Sequence, residues 1–400
     1  MPSQYRINRI VDIGDTLHRC GCAPYKVERY TTFYADKYGV NCMIQATPTS
    51  INYQFPDDNN AVIMKRHKPA SIDLGLLANT IIQLQQPLTP VPLAPAEGVS
   101  YPTWIVLLAN TCIPPAFLML VGSTYEALWV SFILGFLVWC CQVICTKRRS
   151  IAVEFFSALI IAFTVTFIAS LGLPIPILGL CIAAVVLFVP GLSISNALEC
   201  LAFNDLVSGT SLLGQCFLTL IKLLIGIIIG LHIGIIIGLH IGEAIFGVSD
   251  SITYQNEFPL WLQIIGLPII SFSIGVMFKA RPKDTLYSLP VAALGMWGPF
   301  YLGFDGGWVV GTWVTTVLIT LYGTWIARRL NLTGIIFIVQ GIIILVPGSR
   351  ILVSASQSVF EQSILPIPSI GLSALFMFSA IVAGQITAYS IYSPKIERDL

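Results

Sequence analysis

The sequence predicts a mainly α membrane protein: about ten transmembrane helices as two inverted five-helix repeats, preceded by a small cytoplasmic α/β domain. Three observations carry that reading. Of 400 residues, 56% are hydrophobic and only 10% charged, at a mean hydropathy of +0.82, which is too apolar for an ordinary soluble domain. The charges are uneven, since residues 1–100 hold 9 Lys/Arg and 8 Asp/Glu, leaving 12 of each for the other 300. A Val-Pro-Gly interruption also occurs twice in apolar surroundings, at Pro190 and Pro347, 157 residues apart. The expected division is a cytoplasmic α/β domain over 1–86, a Pro-rich linker over 87–102, membrane repeat 1 over 103–247 and membrane repeat 2 over 258–393.

The polar quarter comes first. Met1 to Cys20 carries Asp12, Asp15 and Arg19 and no apolar h-region, which argues against a cleaved signal peptide and keeps the N-terminus in the cytoplasm. Pro24 to Tyr38 places Val27, Tyr30, Phe33, Tyr34 and Tyr38 at helical spacing, with Pro at the first position and Gly39 past the end. Val40, Cys42, Ile44 and Ala46 alternate with polar neighbours, Pro48 turns the chain, and Ile51, Tyr53 and Phe55 alternate again, which predicts a β-hairpin. A third strand follows through Ala61 to Lys65. Ser71 and Asp73 open a last helix through Leu84, capped by a hydroxyl and with acid in its first turn. The five prolines from Pro87 to Pro102 make a semi-rigid linker.

From Trp104 onward the chain offers about ten apolar stretches near the ~20 residues that cross a bilayer. They run over 104–121, 127–144, 151–171, 177–203 with a break, 212–246, 260–278, 286–304, 308–326, 334–360 with a break, and 370–391. Starting inside, the even-numbered loops and the tail hold Lys147, Arg148, Arg149, Lys279, Arg281, Lys283, Arg328, Arg329, Lys395 and Arg398. These are 10 of the 12 basic residues after position 100, so the positive-inside rule supports both count and orientation. Five spans separate Ile151 from Trp308, and Pro190 from Pro347, so the second copy is upside down relative to the first.

Chemistry is expected at the breaks. Pro190 and Pro347 release the carbonyls of Val186 and Ile343, and Gly191 and Gly348 let the chain bend. Freed backbone at membrane depth is tolerated beside a cavity. Polar groups gather just beyond, so the candidate substrate-binding residues are Pro190, Gly191, Ser193, Ser195, Asn196 and Glu199 in the first copy, and Pro347, Gly348, Ser349 and Arg350 in the second. Asp205, Glu199 and Glu361 are the candidate proton-coupling acids, because ionisable groups inside a membrane are costly and usually functional. Lys222 is expected to snorkel, and Glu154 to pair locally with the cluster at 147–149. The fifth span repeats an octapeptide, 226–233 and 234–241, which carries His232 and His240 and a stripe of glycines at 226, 230, 234, 238 and 242 suited to close helix approach. A tolerated duplication explains the histidines better than a proton relay.

Other chemistries have less support. Net charge +1 and a pI near 7.5 give no basis for a nucleic-acid partner. The ten cysteines all precede residue 217 and form no CxxC pair, so they read as small apolar fillers. His18, Cys20 and Cys22 lack a fourth ligand, and no metal or cofactor is called for. Arg19, Tyr25, Glu28, Arg29 and Thr49 are the polar residues of an alternative, a hydrolase-like or sensor domain on a membrane anchor, but they contain no nucleophile, base and orienter set.

The ordered motifs Gly21–Arg29 (GCAPYKVER), Thr47–Ile51 (TPTSI), Ile72–Gly75 (IDLG), Val189–Ala197 (VPGLSISNA), Asn204–Gly209 (NDLVSG) and Val346–Ser349 (VPGS) resemble those of the threonine/serine exporter family over nearly the whole chain. That resemblance implies a cytoplasmic domain joined to ten transmembrane helices in the plasma (inner) membrane, exporting threonine and serine by antiport on the proton-motive force. A related two-subunit version exports dicarboxylates, chiefly succinate, which is the second transport reading. The implied partners are a small amino acid or dicarboxylate, protons and the lipid bilayer, with oligomeric state left open. The short linker, the octapeptide, and Asn204 at a position where glycine is expected depart from the family pattern.

Overall fold

The computed structural model describes residues 3–68, 71–86, 96–147, 152–245, 258–303, 307–345 and 367–392. The polar quarter folds as α1 (Ser3–Arg19), α2 (Pro24–Lys37), the strands β1 (Met43–Thr47), β2 (Ser50–Phe55) and β3 (Ala61–Arg66), and α3 (Leu74–Gln85). The strands form an antiparallel sheet in the order β1-β2-β3, with Ala46 opposite Ile51 and Tyr53 opposite Ile63. Alternation explains the register: Ile51, Tyr53 and Phe55 are buried under α1 and α2, whereas Met43, Val62 and Met64 are exposed. The hairpin, third strand and two helices stand where sequence periodicity places them. The helix α1 is an addition, an amphipathic element that buries Ile7, Ile10, Val11 and Leu17. The cap of α3 is the Asp73 carboxylate, which accepts from Leu76 N at 2.9 Å, rather than a hydroxyl.

The remainder is helical: α4 (Thr103–Val121), α5 (Tyr125–Lys147), α6 (Val153–Ser170), α7 (Ile177–Val185), a 3-10 turn (Val186–Phe188), α8 (Gly191–Ala202), α9 (Leu206–Ile245), α10 (Leu260–Met277), α11 (Pro282–Tyr301), α12 (Gly307–Leu330), α13 (Ile335–Leu345) and α14 (Ile367–Ile391). Each expected span has a helix in it. Among the described residues six helices are long and apolar enough to cross a membrane, or seven if the bent pair α7–α8 is counted as one span. The outer surface is apolar, with Leu108, Ile133, Phe136, Phe217 and Ile264 exposed, as a lipid-facing surface requires. Exposed aromatics collect at helix ends: Tyr125, Trp129, Trp261 and Tyr301 at one end, Trp104 and Trp325 at the other.

The two halves pair their helices in the same order. First packs on second (α4 on α5, α10 on α11), second on fourth (α5 on α7, α11 on α13), and third on fifth (α6 on α9, α12 on α14). The third–fifth contact of the first half uses the glycine stripe, since a Cβ on Gly230 would lie 2.4 Å from the Leu159 carbonyl oxygen. Gly226 and Gly234 approach α6 in the same way. The halves meet where α4 packs on α10 and where α8 packs on α13 and α14.

The polar quarter is docked rather than merely tethered. Its hydrophobic core includes Ile326 and Ala327 of α12, Ile336 and Phe337 of α13, and Leu332 between them. Leu74 N and Gly75 N donate to the carbonyls of Phe278 and Lys279, Tyr101 OH donates to the Ala280 carbonyl, and Tyr30 shares a hydrogen bond with Thr333. Every one of these contacts falls at the end of the helical body that carries Lys279, Arg281, Arg328 and Arg329, here called the basic end.

Candidate functional site

The first interruption has the expected form with one difference. The axes of 177–188 and 193–202 differ by 55°. The Val186 carbonyl, deprived of a helical partner by Pro190, is taken up by Val189 N at 3.2 Å in the 3-10 turn, so the break satisfies itself locally instead of presenting that oxygen to a cavity. Gly191 is buried, and Pro190, Ser193 and Asn196 are half-buried around the bend. Pro347, Gly348, Ser349, Arg350 and Glu361 lie outside the described residues. The helix that leads to the second Pro-Gly, α13, packs directly against α8.

One polar contact joins α8 to α14 directly, and a second link runs through Lys26 of α2. Ser195 and Glu199 are one turn apart on α8, and Gln385 and Tyr389 are one turn apart on α14. Ser195 Oγ donates to Gln385 Oε1 at 3.4 Å, with both residues buried. Glu199 is 2% exposed, and its Oε1 accepts from two residues of α2, Tyr25 OH at 2.5 Å and Lys26 Nζ at 2.8 Å. The Lys26 ammonium also lies 5.4 Å from the Tyr25 ring centroid and 5.9 Å from that of Tyr389. Tyr25 stacks on Phe203 at 4.9 Å. Beside this cluster a cavity of about 220 Å³ is lined by Tyr25, Lys26, Arg29, Phe203, Tyr389 and Ser390.

Local structure explains how these groups meet. Lys26 lies on the buried stripe of α2 with Val27, Tyr30 and Tyr34, so its ammonium is carried into the interface by a helix whose start is set by Pro24. Burial pulls the Lys26 pKa down, the Glu199 carboxylate more than offsets this, and the result is well above the ordinary lysine range. Burial and Glu199 together push the Tyr25 phenol well above its usual value, which keeps it a donor. The end of α8 is held by paired backbone bonds, Asn204 N to Leu201 O and Asp205 N to Cys200 O, with Asn204 at φ +62°. That is the left-handed closing position glycine favours, and asparagine is its usual substitute.

Asp205 caps α9 through Oδ1, which accepts from Ser208 N at 3.2 Å, while Oδ2 is buried with no hydrogen-bond partner among the described residues. Its charge reaches Glu28 of α2. Burial raises the Glu28 pKa, the Ala46 N–H bonded at 2.7 Å opposes this, and Asp205 raises it further. Glu154 pairs across helices with Lys222 at 3.6 Å, which accounts for Lys222, and the side chains of the cluster at 147–149, its expected partner, lie outside the described residues. His232 is exposed and bonds the Ile228 carbonyl one turn back, in keeping with a tolerated duplication, and the His240 side chain lies outside the described residues. His18 Nε2 is engaged by the carbonyls of Thr47 and Pro48, and Cys20 and Cys22 are buried. The polar residues of the hydrolase-like alternative are engaged separately: Tyr25 by Glu199, Glu28 by Ala46 N, and Arg19 by Thr16 of its own helix.

A family model for a threonine/serine exporter matches residues 96–234, and a second threonine/serine exporter model matches residues 263–391, together about two thirds of the chain. The chain belongs to the threonine/serine exporter family. It is therefore a multi-pass membrane protein of a transporter family, which implies a small-molecule substrate. No curated protein and no solved structure matches it. Of the residues that sequence reasoning assigned to this exporter-family site, Ser195 and Glu199 come together with partners. Their partners Tyr25, Lys26 and Gln385 were not assigned to that site, nor was Tyr389, whose ring lies near the Lys26 ammonium. The available signals were a lysine on the apolar stripe of α2 and an amide within the last apolar span.

Proposed function

We propose that the protein is a secondary active exporter of small hydroxy amino acids, threonine and serine, driven by the proton gradient, with its N- and C-termini in the cytoplasm. The observation that carries the reading is Glu199, a carboxylate buried in a bent transmembrane helix and already occupied by an ammonium group. A site that holds one ammonium suits a substrate that brings another. The dicarboxylate alternative needs two positive partners and, with Lys222 engaged by Glu154 and Lys26 by Glu199, would have to draw them from Arg29 and Arg350 while meeting the Glu199 carboxylate. Matched pairing of helices in the two halves supports two repeats, and the odd number of spans between equivalent positions makes the second inverted. Docking of the polar quarter on the basic end agrees with a cytoplasmic placement of that end.

In this scheme Ser193, Ser195, Asn196 and Glu199 contribute to the substrate path from the first break, and Ser349 and Arg350 from the second. Asp205, whose buried Oδ2 has no hydrogen-bond partner among the described residues, is the coupling acid. Burial and then the Asp205 charge raise the Glu28 pKa, so an ionised Asp205 favours the protonated form of Glu28. Asp205→Asn keeps the cap of α9, because asparagine caps as well as aspartate. The variant is expected to fold and to export threonine without response to an imposed pH gradient. Unaltered pH dependence would remove Asp205 from the mechanism.

The function is tested by efflux of radiolabelled threonine from vesicles holding the full chain. Threonine and serine flux that collapses with a protonophore is expected. Brisk succinate flux with no proton-dependent threonine flux would replace the amino-acid reading by the dicarboxylate one.

A further inference from the structure

We propose that Glu199, Tyr25 and Tyr389 form an ammonium-binding cage at the cytoplasmic mouth of the pathway, and that Lys26 is its tethered occupant, which the ammonium of an α-amino acid substrate displaces. The inference rests on the export reading and deepens it. The cage has the three elements that bind a primary ammonium: a buried carboxylate at 2.8 Å and two aromatic rings within 6 Å of the nitrogen, at 5.4 and 5.9 Å. Its present guest comes from a different domain, 173 residues away in sequence. The adjoining cavity of about 220 Å³ has room for a small amino acid, and Arg29 and Ser390 on its wall offer groups for a carboxylate and a hydroxyl.

Exchange of one ammonium for another preserves charge. When the substrate ammonium takes Glu199, Lys26 is released beside the substrate carboxylate and pairs with it, so no charge is left buried alone. A dicarboxylate has no group that can replace Lys26 and would bring acid against Glu199. The lysine is thus a specificity filter as well as the latch that holds α2 over the end of α8. The substrate ammonium opens the latch, and the substrate carboxylate then pairs with the released lysine.

Lysine acylation of the wild-type full chain in vesicles tests this, with Lys65, exposed on β3, as the internal standard. The Lys26 to Lys65 labelling ratio, read by mass spectrometry, is expected to be low without ligand because Lys26 is 5% exposed. Saturating threonine should raise it several-fold. Ethanolamine, which has the ammonium and hydroxyl without the carboxylate, should also raise it, and lactate, which lacks the ammonium, should not. A ratio unchanged by both amines in vesicles that export threonine would overturn the cage while leaving the export reading intact. A rise with lactate equal to that with threonine would also overturn it. A rise with ethanolamine in vesicles that export only succinate would support the cage and sink the export reading. Lys26→Gln supplies a second measure: loss of the competing ammonium should lower the half-saturating threonine concentration about tenfold, and an unchanged or higher value would count against displacement.

Discussion

Lys26 and Glu199 illustrate what a buried ion pair demands of its neighbours. Removing one partner of such a pair strands the other charge, at a typical cost of about 3–5 kcal/mol, whereas removing both is often nearly neutral. Lys26→Met is therefore expected to lower thermal stability in detergent by an amount of that order. Lys26→Met combined with Glu199→Gln should recover most of the loss, a non-additivity that a thermal unfolding cycle would measure. Glu28 behaves oppositely. Its folded pKa is raised above the ordinary value of 4.5, first by burial, so the folded state favours the protonated acid. Stability from that preference is complete below the unfolded pKa and is lost as pH rises through the folded pKa. Glu28→Gln, which keeps the acceptor for Ala46 N, should unfold at a higher temperature than wild type at pH 7–8, with the gap closing toward pH 4.5. Equal unfolding temperatures across that range would contradict the assignment.

At the scale of elements, the long helix α9 carries the clearest test. Its 40 residues rise about 60 Å, roughly twice the hydrocarbon thickness. The contact with α6 depends on Gly226, Gly230 and Gly234. Deleting 234–241 brings Gly242 into the place of Gly234 and leaves the α6 contact whole. Expression and threonine efflux should both survive; lost transport with normal expression would give the histidine repeat a function. Elements with strong periodicity were legible beforehand, including α2, the hairpin and the apolar helices. The apolar spacing of Ile7, Ile10, Val11 and Leu17 in α1 is diluted by Asn8, Arg9, Asp12, Asp15 and Thr16, and its partner Tyr53 lies far along the chain. Gly14 shows the fit, since a Cβ there would lie 2.3 Å from the Tyr53 hydroxyl.

For the whole molecule, the shared core means that neither part is finished alone. Ile336 and Phe337, within 1% of full burial, sit in one cluster with Tyr30 and Tyr34 of the polar quarter. Residues 1–86 expressed without the helical body should therefore show little amide protection in α2 and α3 and no cooperative thermal transition. The intact chain should protect both helices, as hydrogen exchange would show. A sharp transition in the fragment would mean that the domain folds independently and only rests on the body.

Composition, charge distribution and periodicity were sufficient to determine that this chain is a membrane protein with a polar α/β quarter, where most of its helices run, and that Ser195 and Glu199 sit on a bent span. Those properties are local, because a 3.6-residue period or an apolar run of ~20 residues is written in consecutive side chains. What answers Glu199 was decided only by tertiary structure. Periodicity tells which face of α2 is buried and that Lys26 lies on it, but the carboxylate that receives the ammonium is 173 residues away on another element. The docking of one domain on the other brings the two charges within 2.8 Å, and no pattern along the chain encodes that meeting.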